Sequence, residues 1–271
     1  MGLDLAAEDL DRYSRHIIME DVGPEGQEAL LDSSVLVVGA GGLGSPVIQY
    51  LSAAGIGTLG IVDDDVVELS NLQRQVVHGS DDVGRPKTES AAEFVTSLNP
   101  TIDVRTHEQR VDAETVTELI SSYDVVVDGT DNFQTRFLLN DACVLEDVPL
   151  SHGAVYQFEG QATTFTGGEP CYRCLFPEAP PDGAVPDCST AGVLGVLPGT
   201  IGLLQATEVL KYLLSEGELL DGRLLVYNAR DLSFETVPLR PNPDCPVCGE
   251  NATLENLVEE RYEARCSLSD S

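Results

Sequence analysis

The chain has 271 residues, of which 42% are hydrophobic, so it can bury a large core and is not expected to be disordered. Its 46 acidic residues outnumber 15 basic ones and give a net charge of -31. Such a charge repels phosphodiester backbones and argues against a nucleic acid as direct partner. Only two of the basic residues are lysines, a bias that together with the acid excess indicates a halophilic protein.

We expect a cytoplasmic protein that does not associate with membranes. Residues 1–5 lack the basic start and apolar run of a signal peptide. The most apolar stretch, 191–206, contains Pro198 and several glycines and is too short to span a bilayer.

Strands and helices alternate through the first half of the chain. Residues 4–31 are predicted to be helical, and a Gly-rich turn at 39–44 opens a helix that ends near Ala54. The other predicted elements here are strands 35–38, 58–62, 102–106 and 125–127 and helices 87–98, 113–121 and 133–145. This alternation predicts right-handed crossovers and a doubly wound parallel sheet.

Antiparallel strands are predicted after residue 150, at 154–158, 161–165, 223–228 and 234–238, with one long helix at 200–214. Residues 176–187 are rich in Pro, Gly and acid and predict an exposed crossover loop, and the last ten residues predict a frayed tail.

The predicted fold class is therefore α/β, with a Rossmann-like, mainly parallel sheet extended by antiparallel strands. We divide this single integrated unit into an N-terminal helical segment (1–32), a nucleotide-binding part (33–150) and an antiparallel extension (151–271).

A glycine-rich loop predicts a nucleotide site. Gly39, Gly41, Gly42 and Gly44 fit the pattern G-x-G-x-x-G between a strand and a helix. Glycines permit the tight turn and the close approach of phosphates, which the helix N-terminus attracts. Asp63 ends the next strand, where a carboxylate can accept hydrogen bonds from ribose hydroxyls. Alone, this pattern favours an NAD-dependent oxidoreductase.

Two cations follow the glycine loop in sequence. Arg74 lies in the segment 71–75, and Lys87 begins a predicted helix. A cation in the first turn opposes the helix dipole and costs stability unless an anion is bound there. In a chain with two lysines, this placement favours a phosphate ligand over an ordinary surface cation, and a triphosphate would supply the anion.

Together these motifs resemble the superfamily of E1 enzymes, molybdopterin-synthase adenylyltransferases and thiamine adenylyltransferases, and most of all its haloarchaeal E1-like branch. The matching segments cover nearly the whole chain and are 12–15, 39–44, 63, 70–75, 84–87, 128–132 and 245–249. The resemblance implies ATP- and Mg²⁺-dependent adenylylation of the C-terminal carboxylate of a small ubiquitin-like or sulfur-carrier protein ending in Gly-Gly. It implies a place in ubiquitin-like conjugation, tRNA thiolation or molybdopterin synthesis. No rhodanese domain follows Gly249, so we expect any sulfur donor to be a separate protein.

The resemblance also assigns roles to residues. It implies that ribose is bound by Asp63, phosphates by Arg74 and Lys87 with help from Asn71, and Mg²⁺ by Asp131. Arg15 matches an arginine that reaches the ATP of the other subunit in this family, so a homodimer is implied. Asp131 has a second reading as the N-cap of the following helix.

The implied chemistry needs no general base. A peptide C-terminal carboxylate has a pKa of about 3.5 and is ionised at neutral pH. We therefore expect no catalytic triad, and structural or surface positions for the four histidines.

Two C-x-x-C pairs predict a structural zinc centre. Cys171 with Cys174 and Cys245 with Cys248 supply four thiolates for tetrahedral Zn²⁺. The pairs are about 70 residues apart, so the metal would join the crossover region to the C-terminal segment. A redox-active C-x-x-C pair is the alternative.

Cys188 follows the Pro-rich loop and precedes an apolar segment. A helix N-terminus there would lower its pKa, and a mobile loop would bring it to an adenylate. It matches the family's loop cysteine, which forms a thioester or takes part in sulfur transfer; the alternative is an inert loop thiol. Cys143 is expected in the core and Cys266 in the acidic tail.

Three other functions stay open. An NAD-dependent oxidoreductase would explain the glycine loop but neither the cations nor the cysteine pairs. An inactive E1-like scaffold is disfavoured because the implied ATP-site residues are all present. A tRNA-modifying dehydratase of the same superfamily is disfavoured by the acidity, the cysteine pairs and Cys188.

Overall fold

The structure, a computed structural model, describes residues 5–178 and 192–262. Predictions for most of the crossover loop, for Cys188 and Cys266 and for the C-terminal tail lie outside these residues.

A single mixed sheet organises the described part of the chain. Its strands are β1 (Ser34–Val38), β2 (Thr58–Val62), β3 (Asp103–His107), β4 (Val125–Asp128), β5 (Leu150–Tyr156), β6 (Glu159–Phe165), β7 (Arg223–Asn228) and β8 (Ser233–Pro238). They are ordered β3-β2-β1-β4-β5-β6-β7-β8. Neighbours from β3 to β5 pair in parallel, and those from β5 to β8 pair antiparallel. The predicted Rossmann-like sheet with an antiparallel extension is confirmed.

Helices cover both faces of the parallel part. The helices of the described residues are α1 (Ala7–Arg12), α2 (Ser14–Ile17), α3 (Gly23–Asp32), α4 (Gly44–Ala54), α5 (Lys87–Leu98), α6 (Val116–Ile120), α7 (Phe133–Glu146), α8 (Tyr172–Leu175) and α9 (Val196–Leu214). No helix in the described ranges is long and apolar enough to cross a membrane.

The β1 strand shows why the sheet is buried on both sides. Val35 and Val37 face a core shared with α3, α4, α5 and α9, whereas Leu36 and Val38 face a core shared with α6 and α7. Successive strand residues point to opposite faces, so a continuous apolar run suits a strand covered by helices on each side.

Several predicted elements have other bounds in the structure; the helix predicted at 200–214, for example, begins at Val196. The helical segment predicted at 4–31 is three helices. The third begins where it does because Pro24 lacks an N–H and is tolerated only in the first turn of a helix. The strand predicted at 154–158 begins at Leu150. This strand, β5, pairs in parallel with β4 and antiparallel with β6, so it joins the two parts of the sheet.

Candidate nucleotide site and metal centre

The candidate site lies where the order of the parallel strands reverses, between β1 and β4. In doubly wound sheets, ligands bind in the crevice beyond the carboxyl ends of the strands at this point. Gly39 follows β1 and donates its N–H to the Val62 carbonyl at 2.7 Å. Gly129 follows β4 and donates to the Val38 carbonyl at 2.8 Å. The two loop starts are therefore fixed side by side.

Glycine is required at two positions of this loop. Gly39 has φ of +96°, and a Cβ there would lie 2.8 Å from the Gly129 carbonyl oxygen. A Cβ on Gly44 would lie 1.8 Å from the Gly39 carbonyl oxygen, closer than any side chain can approach. The backbones pack so tightly that the loop forms only with glycine at both positions.

A cavity of about 830 Å³ opens above the loop. This volume falls in the range of about 300–1,000 Å³ that is usual for sites of small ligands. The predicted site residues that line it are Gly39, Gly41, Gly42, Asp63, Arg74, Lys87 and Asp131. The structure thus brings most of the predicted nucleotide ligands to one cavity.

Asp63 supports the loop as well as lining the cavity. Its Oδ2 accepts the Ala40 N–H at 2.8 Å, and its Oδ1 accepts the Asp65 N–H at 2.9 Å. Burial raises the pKa of Asp63, an effect opposed by the nearby charge of Lys87. Each oxygen has a second lone pair, so the carboxylate can still accept a hydroxyl.

Lys87 is buried at the start of α5, with 6% of its surface exposed. Its Nζ lies 2.8 Å from Asp65 Oδ2 and 3.8 Å from Asp63 Oδ1. Two carboxylates of the chain thus already offset the unfavourable position of this cation at the helix N-terminus, so the expected need for a bound anion is wrong. The expected phosphate role of Lys87 stays a prediction.

Arg74 lines the cavity and donates from Nη1 to the Ser70 carbonyl at 3.2 Å. Asn71 and Arg15 lie elsewhere. The Asn71 Oδ1 accepts the Glu68 N–H at 3.0 Å, which stabilises a short turn, and Arg15 is exposed on α2. Among the described residues, neither belongs to the lining of the cavity.

The turn after β4 carries Asp131, which is exposed and lines the cavity. The N-cap of α7 is its neighbour Asn132, whose Oδ1 accepts the Thr135 N–H at 2.8 Å. The capping alternative for Asp131 is therefore wrong, and its carboxylate is left to face the cavity.

The polar residues of the cavity that sequence reasoning did not assign to the site include Gln75, Arg110 and Arg136. Arg136 lies four residues after the cap Asn132, hence on the same side of α7, and its Nη2 donates to the Thr130 carbonyl at 2.7 Å. The four-residue spacing from Asn132 could therefore have indicated that Arg136 lies at the cavity. Arg110 lies in a loop after β3, and no sequence pattern indicated its position at the cavity.

The four predicted cysteines meet in a second cluster. Their sulfur atoms all lie within 4.8 Å of one another, with Cys171 and Cys245 at 3.7 Å and Cys174 and Cys248 at 3.4 Å. Zn–S bonds of about 2.3 Å in a tetrahedron place sulfurs roughly 3.8 Å apart, so the cluster fits this metal. Burial is the main cause that raises the pKa of Cys171 to about 12, and the neighbouring Cys245 adds to it. A cation among the sulfurs would stabilise the thiolate form and so lower this pKa again.

The first cysteine pair is anchored to α7. Arg173 makes two hydrogen bonds of 2.7 Å to Asp141, which is fully buried and also accepts the Tyr262 hydroxyl at 2.8 Å. Cys143, on the same helix, is buried in the core as expected. The cysteine cluster thereby fastens the C-terminal segment to a helix that begins at the cavity.

A glycine-rich loop at the switch point of a doubly wound sheet, together with a cluster of four cysteines that could hold a metal ion, defines a class of Rossmann-like α/β proteins. A model of the ThiF family matches residues 13–247. The chain belongs to the ThiF family.

Named relatives agree with this membership. The chain is 64% identical over 269 residues to a SAMP-activating enzyme E1 of Haloferax volcanii, covering 99% of each protein. It is 53% identical over 267 residues to a sulfur carrier protein adenylyltransferase of Thermus thermophilus, covering 96% of this chain and 98% of that one. A crystal structure of E. coli MccB with AMPCPP and MccA has the same fold, with a TM-score of 0.79 at 23% identity over 91% of this chain and 75% of that one.

Proposed function

We propose that the chain is an ATP-dependent adenylyltransferase that activates the C-terminal carboxylate of a small ubiquitin-like or sulfur-carrier protein ending in Gly-Gly. The observation that carries the proposal is that Arg74 and Lys87 line the same cavity as the glycine loop and Asp131. An NAD site has no need of two cations beside its phosphate loop and a carboxylate opposite them. The names of the Haloferax and Thermus relatives support the same activity.

The reaction is a displacement at the α-phosphorus. A carboxylate oxygen of the partner protein forms the new P–O bond, the bond to the bridging oxygen of the β-phosphate breaks, and pyrophosphate leaves. The products are an acyl-adenylate and pyrophosphate. Because the carboxylate is already ionised, the site needs to position two anions and reduce their repulsion rather than remove a proton.

Different residues of the cavity position the reactants and reduce the repulsion between them. Arg74 and Lys87 offset phosphate charge, and Asp63 holds the ribose while it holds the loop. Mg²⁺ bound at Asp131 would neutralise charge on the leaving pyrophosphate. Lys87 changes partner during binding, because its Nζ is hydrogen-bonded to Asp65 before a phosphate arrives.

The far end of the cavity suits an extended peptide tail. It is lined by residues of β5, β6 and β7, namely Ala154, Tyr156, Glu159, Gly160, Gln161 and Val226. A tail without side chains, as in Gly-Gly, brings no bulk that this end of the cavity would have to accommodate.

Further steps involve residues beyond the cavity. The Cys188 thiolate attacks the acyl-adenylate, AMP leaves, and a thioester forms, or the activated carboxylate passes to sulfur from a separate donor protein. Arg15 reaches the ATP of a second copy in a homodimer. Zn²⁺ at the four cysteines is structural, and we expect the protein in the cytoplasm.

Pyrophosphate exchange into ATP tests the activity. The native chain is incubated with labelled pyrophosphate, Mg·ATP and a small ubiquitin-like protein ending in Gly-Gly, with the same protein lacking both glycines as substrate control. We expect exchange only with the intact tail, and a loss of about 100-fold in Arg74→Ala and in Lys87→Ala. Arg105→Ala is the matched control, since Arg105 is an exposed cation paired with Asp103 on β3. Full exchange in either cavity variant would overturn the proposal.

A further inference from the structure

We propose that His78 is a positioning residue of the nucleotide site, which holds the Ala40 carbonyl so that the next amide, Gly41 N–H, faces the phosphates. The inference rests on the proposed ATP site. It concerns a buried side chain outside the set of predicted ligands.

His78 joins the loop to α5. Its Nε2 lies 2.9 Å from the Ala40 carbonyl oxygen, and its Nδ1 lies 2.9 Å from the Ser90 hydroxyl. His78 is 7% exposed and Ser90 is 3% exposed. Both ring nitrogens are therefore engaged away from solvent, directly beneath the glycine loop.

The partners fix the form of the ring. A carbonyl oxygen only accepts, so Nε2 carries the hydrogen. Burial lowers the pKa of His78, which favours the neutral ring, and in that form Nδ1 accepts from the Ser90 hydroxyl. Ser90 thereby selects the tautomer that can hold Ala40.

The Ala40 residue is held from both sides. Its N–H donates to Asp63 Oδ2 at 2.8 Å, while its carbonyl accepts from His78. Both of its backbone polar groups are therefore occupied by side chains outside the loop, and the loop keeps one conformation before any ligand binds.

The geometry of the peptide bond transmits this restraint to the ligand. In a trans peptide the carbonyl and the following N–H point in opposite directions. With the Ala40 carbonyl directed at His78, the Gly41 N–H is directed away from it. Gly41 lines the cavity, and its N–H makes no hydrogen bond to a described residue. It is available to a phosphate oxygen.

Loss of the His78 donor would leave the buried Ala40 carbonyl unpaired. An unpaired buried carbonyl is costly, and rotation of the peptide between Ala40 and Gly41 would expose it to the cavity. Glycine at position 41 accepts the rotated backbone at little cost. The rotated loop would present an oxygen instead of an N–H to the phosphates, which weakens ATP binding.

The test is calorimetric titration of the full chain with the Mg²⁺ complex of α,β-methylene-ATP. His78→Gln and His78→Asn form a matched pair, because the Gln amide nitrogen reaches the place of Nε2 and the Asn amide nitrogen only that of Nδ1. We expect Kd to rise about tenfold in His78→Asn and to stay within about threefold of native in His78→Gln.

A variant of general stability separates positioning from folding. Leu30→Ala removes a fully buried side chain of α3 that is remote from the cavity, so it should lower the melting temperature without raising Kd. Equal Kd values for native chain and His78→Asn would overturn the role of His78 while leaving the ATP site intact. A native chain that does not bind the nucleotide would overturn the ATP site itself.

Discussion

Asp128 and His152 are partners in the register of β4 and β5, and His152 Nδ1 lies 2.7 Å from Asp128 Oδ2. Each side chain is 1% exposed. Burial alone would raise the pKa of Asp128, but the hydrogen bond from His152, the charge of Arg136 and the Thr130 hydroxyl bring it below its usual value. The other oxygen of Asp128 accepts the N–H and hydroxyl of Thr130, at 2.9 and 2.6 Å. The pair therefore supports the turn that leads to Asp131.

Replacing His152 by leucine should destabilise the chain by about 2–4 kcal/mol, because a buried carboxylate loses a donor. His152→Asn should keep most of the stability, since its amide nitrogen takes the place of Nδ1. Urea unfolding measures both variants against the native chain. Pyrophosphate exchange should fall in His152→Leu as the Asp131 turn loosens. Equal unfolding free energies for the Leu and Asn variants would contradict this role of the hydrogen bond.

Stability should decrease as the pH is lowered from about 7.5 to 5.5. Burial lowers the pKa values of His78, His107 and His152 in the folded chain. Below about pH 6.5 the unfolded chain then binds more protons than the folded one, so acid favours unfolding. The raised pKa of Asp63 has the opposite effect on stability. At pH values just above 3.8, the usual pKa of this side chain, the folded chain binds more protons than the unfolded one, so acid there favours folding.

Thermal melts across that pH range measure the effect. His152→Asn provides the control, because it keeps a donor to Asp128 without a group that titrates near neutrality. Its melting temperature should depend less on pH than that of the native chain. A native melting temperature that is constant or rises on acidification would contradict neutral burial of these histidines.

Cys248→Ser should release the metal that we propose at the cysteine cluster. Metal analysis should find one zinc per native chain and a large loss in the variant, because a hydroxyl is a poor replacement for a thiolate. If the site contributes about 3 kcal/mol, the melting temperature falls by roughly 6–12 °C. Cys143→Ala, in the core outside the cluster, should keep full zinc content. Retention of zinc by Cys248→Ser would exclude this cysteine as a ligand.

Features that depend on a short stretch of sequence were predictable, and contacts between residues that are distant in the sequence were not. The glycine loop and the cysteine pairs are short motifs whose spacing already implies their geometry. The contact of Asp128 with His152 depends on how β4 and β5 align, and that of His78 with Ala40 joins residues 38 positions apart. Asp65 was likewise unforeseen as the partner of Lys87, because a loop carboxylate is brought to α5 only by the fold.

Gly44→Ala should lower the nucleotide affinity and the melting temperature more than Gly168→Ala does. The added Cβ would lie 1.8 Å from the Gly39 carbonyl oxygen, which is backbone and cannot rotate away as a side chain would. The loop must shift, and both the melting temperature and the affinity for Mg·α,β-methylene-ATP should fall. Gly168→Ala is the control, because a Cβ there meets no atom within 4 Å. Native affinity in Gly44→Ala would show that the loop tolerates a wider turn.

The stability of the chain should depend strongly on salt. A net charge of -31 creates self-repulsion, which is screened over about 3 Å at 1 M salt but only over about 10 Å at 0.1 M. We therefore expect the melting temperature to fall when KCl is lowered from about 2 M to 0.1 M. Glycerol added at low salt should restore less stability than KCl, because it does not screen charge. A melting temperature that does not change with KCl would mean that the acidic surface carries little repulsion in the folded chain.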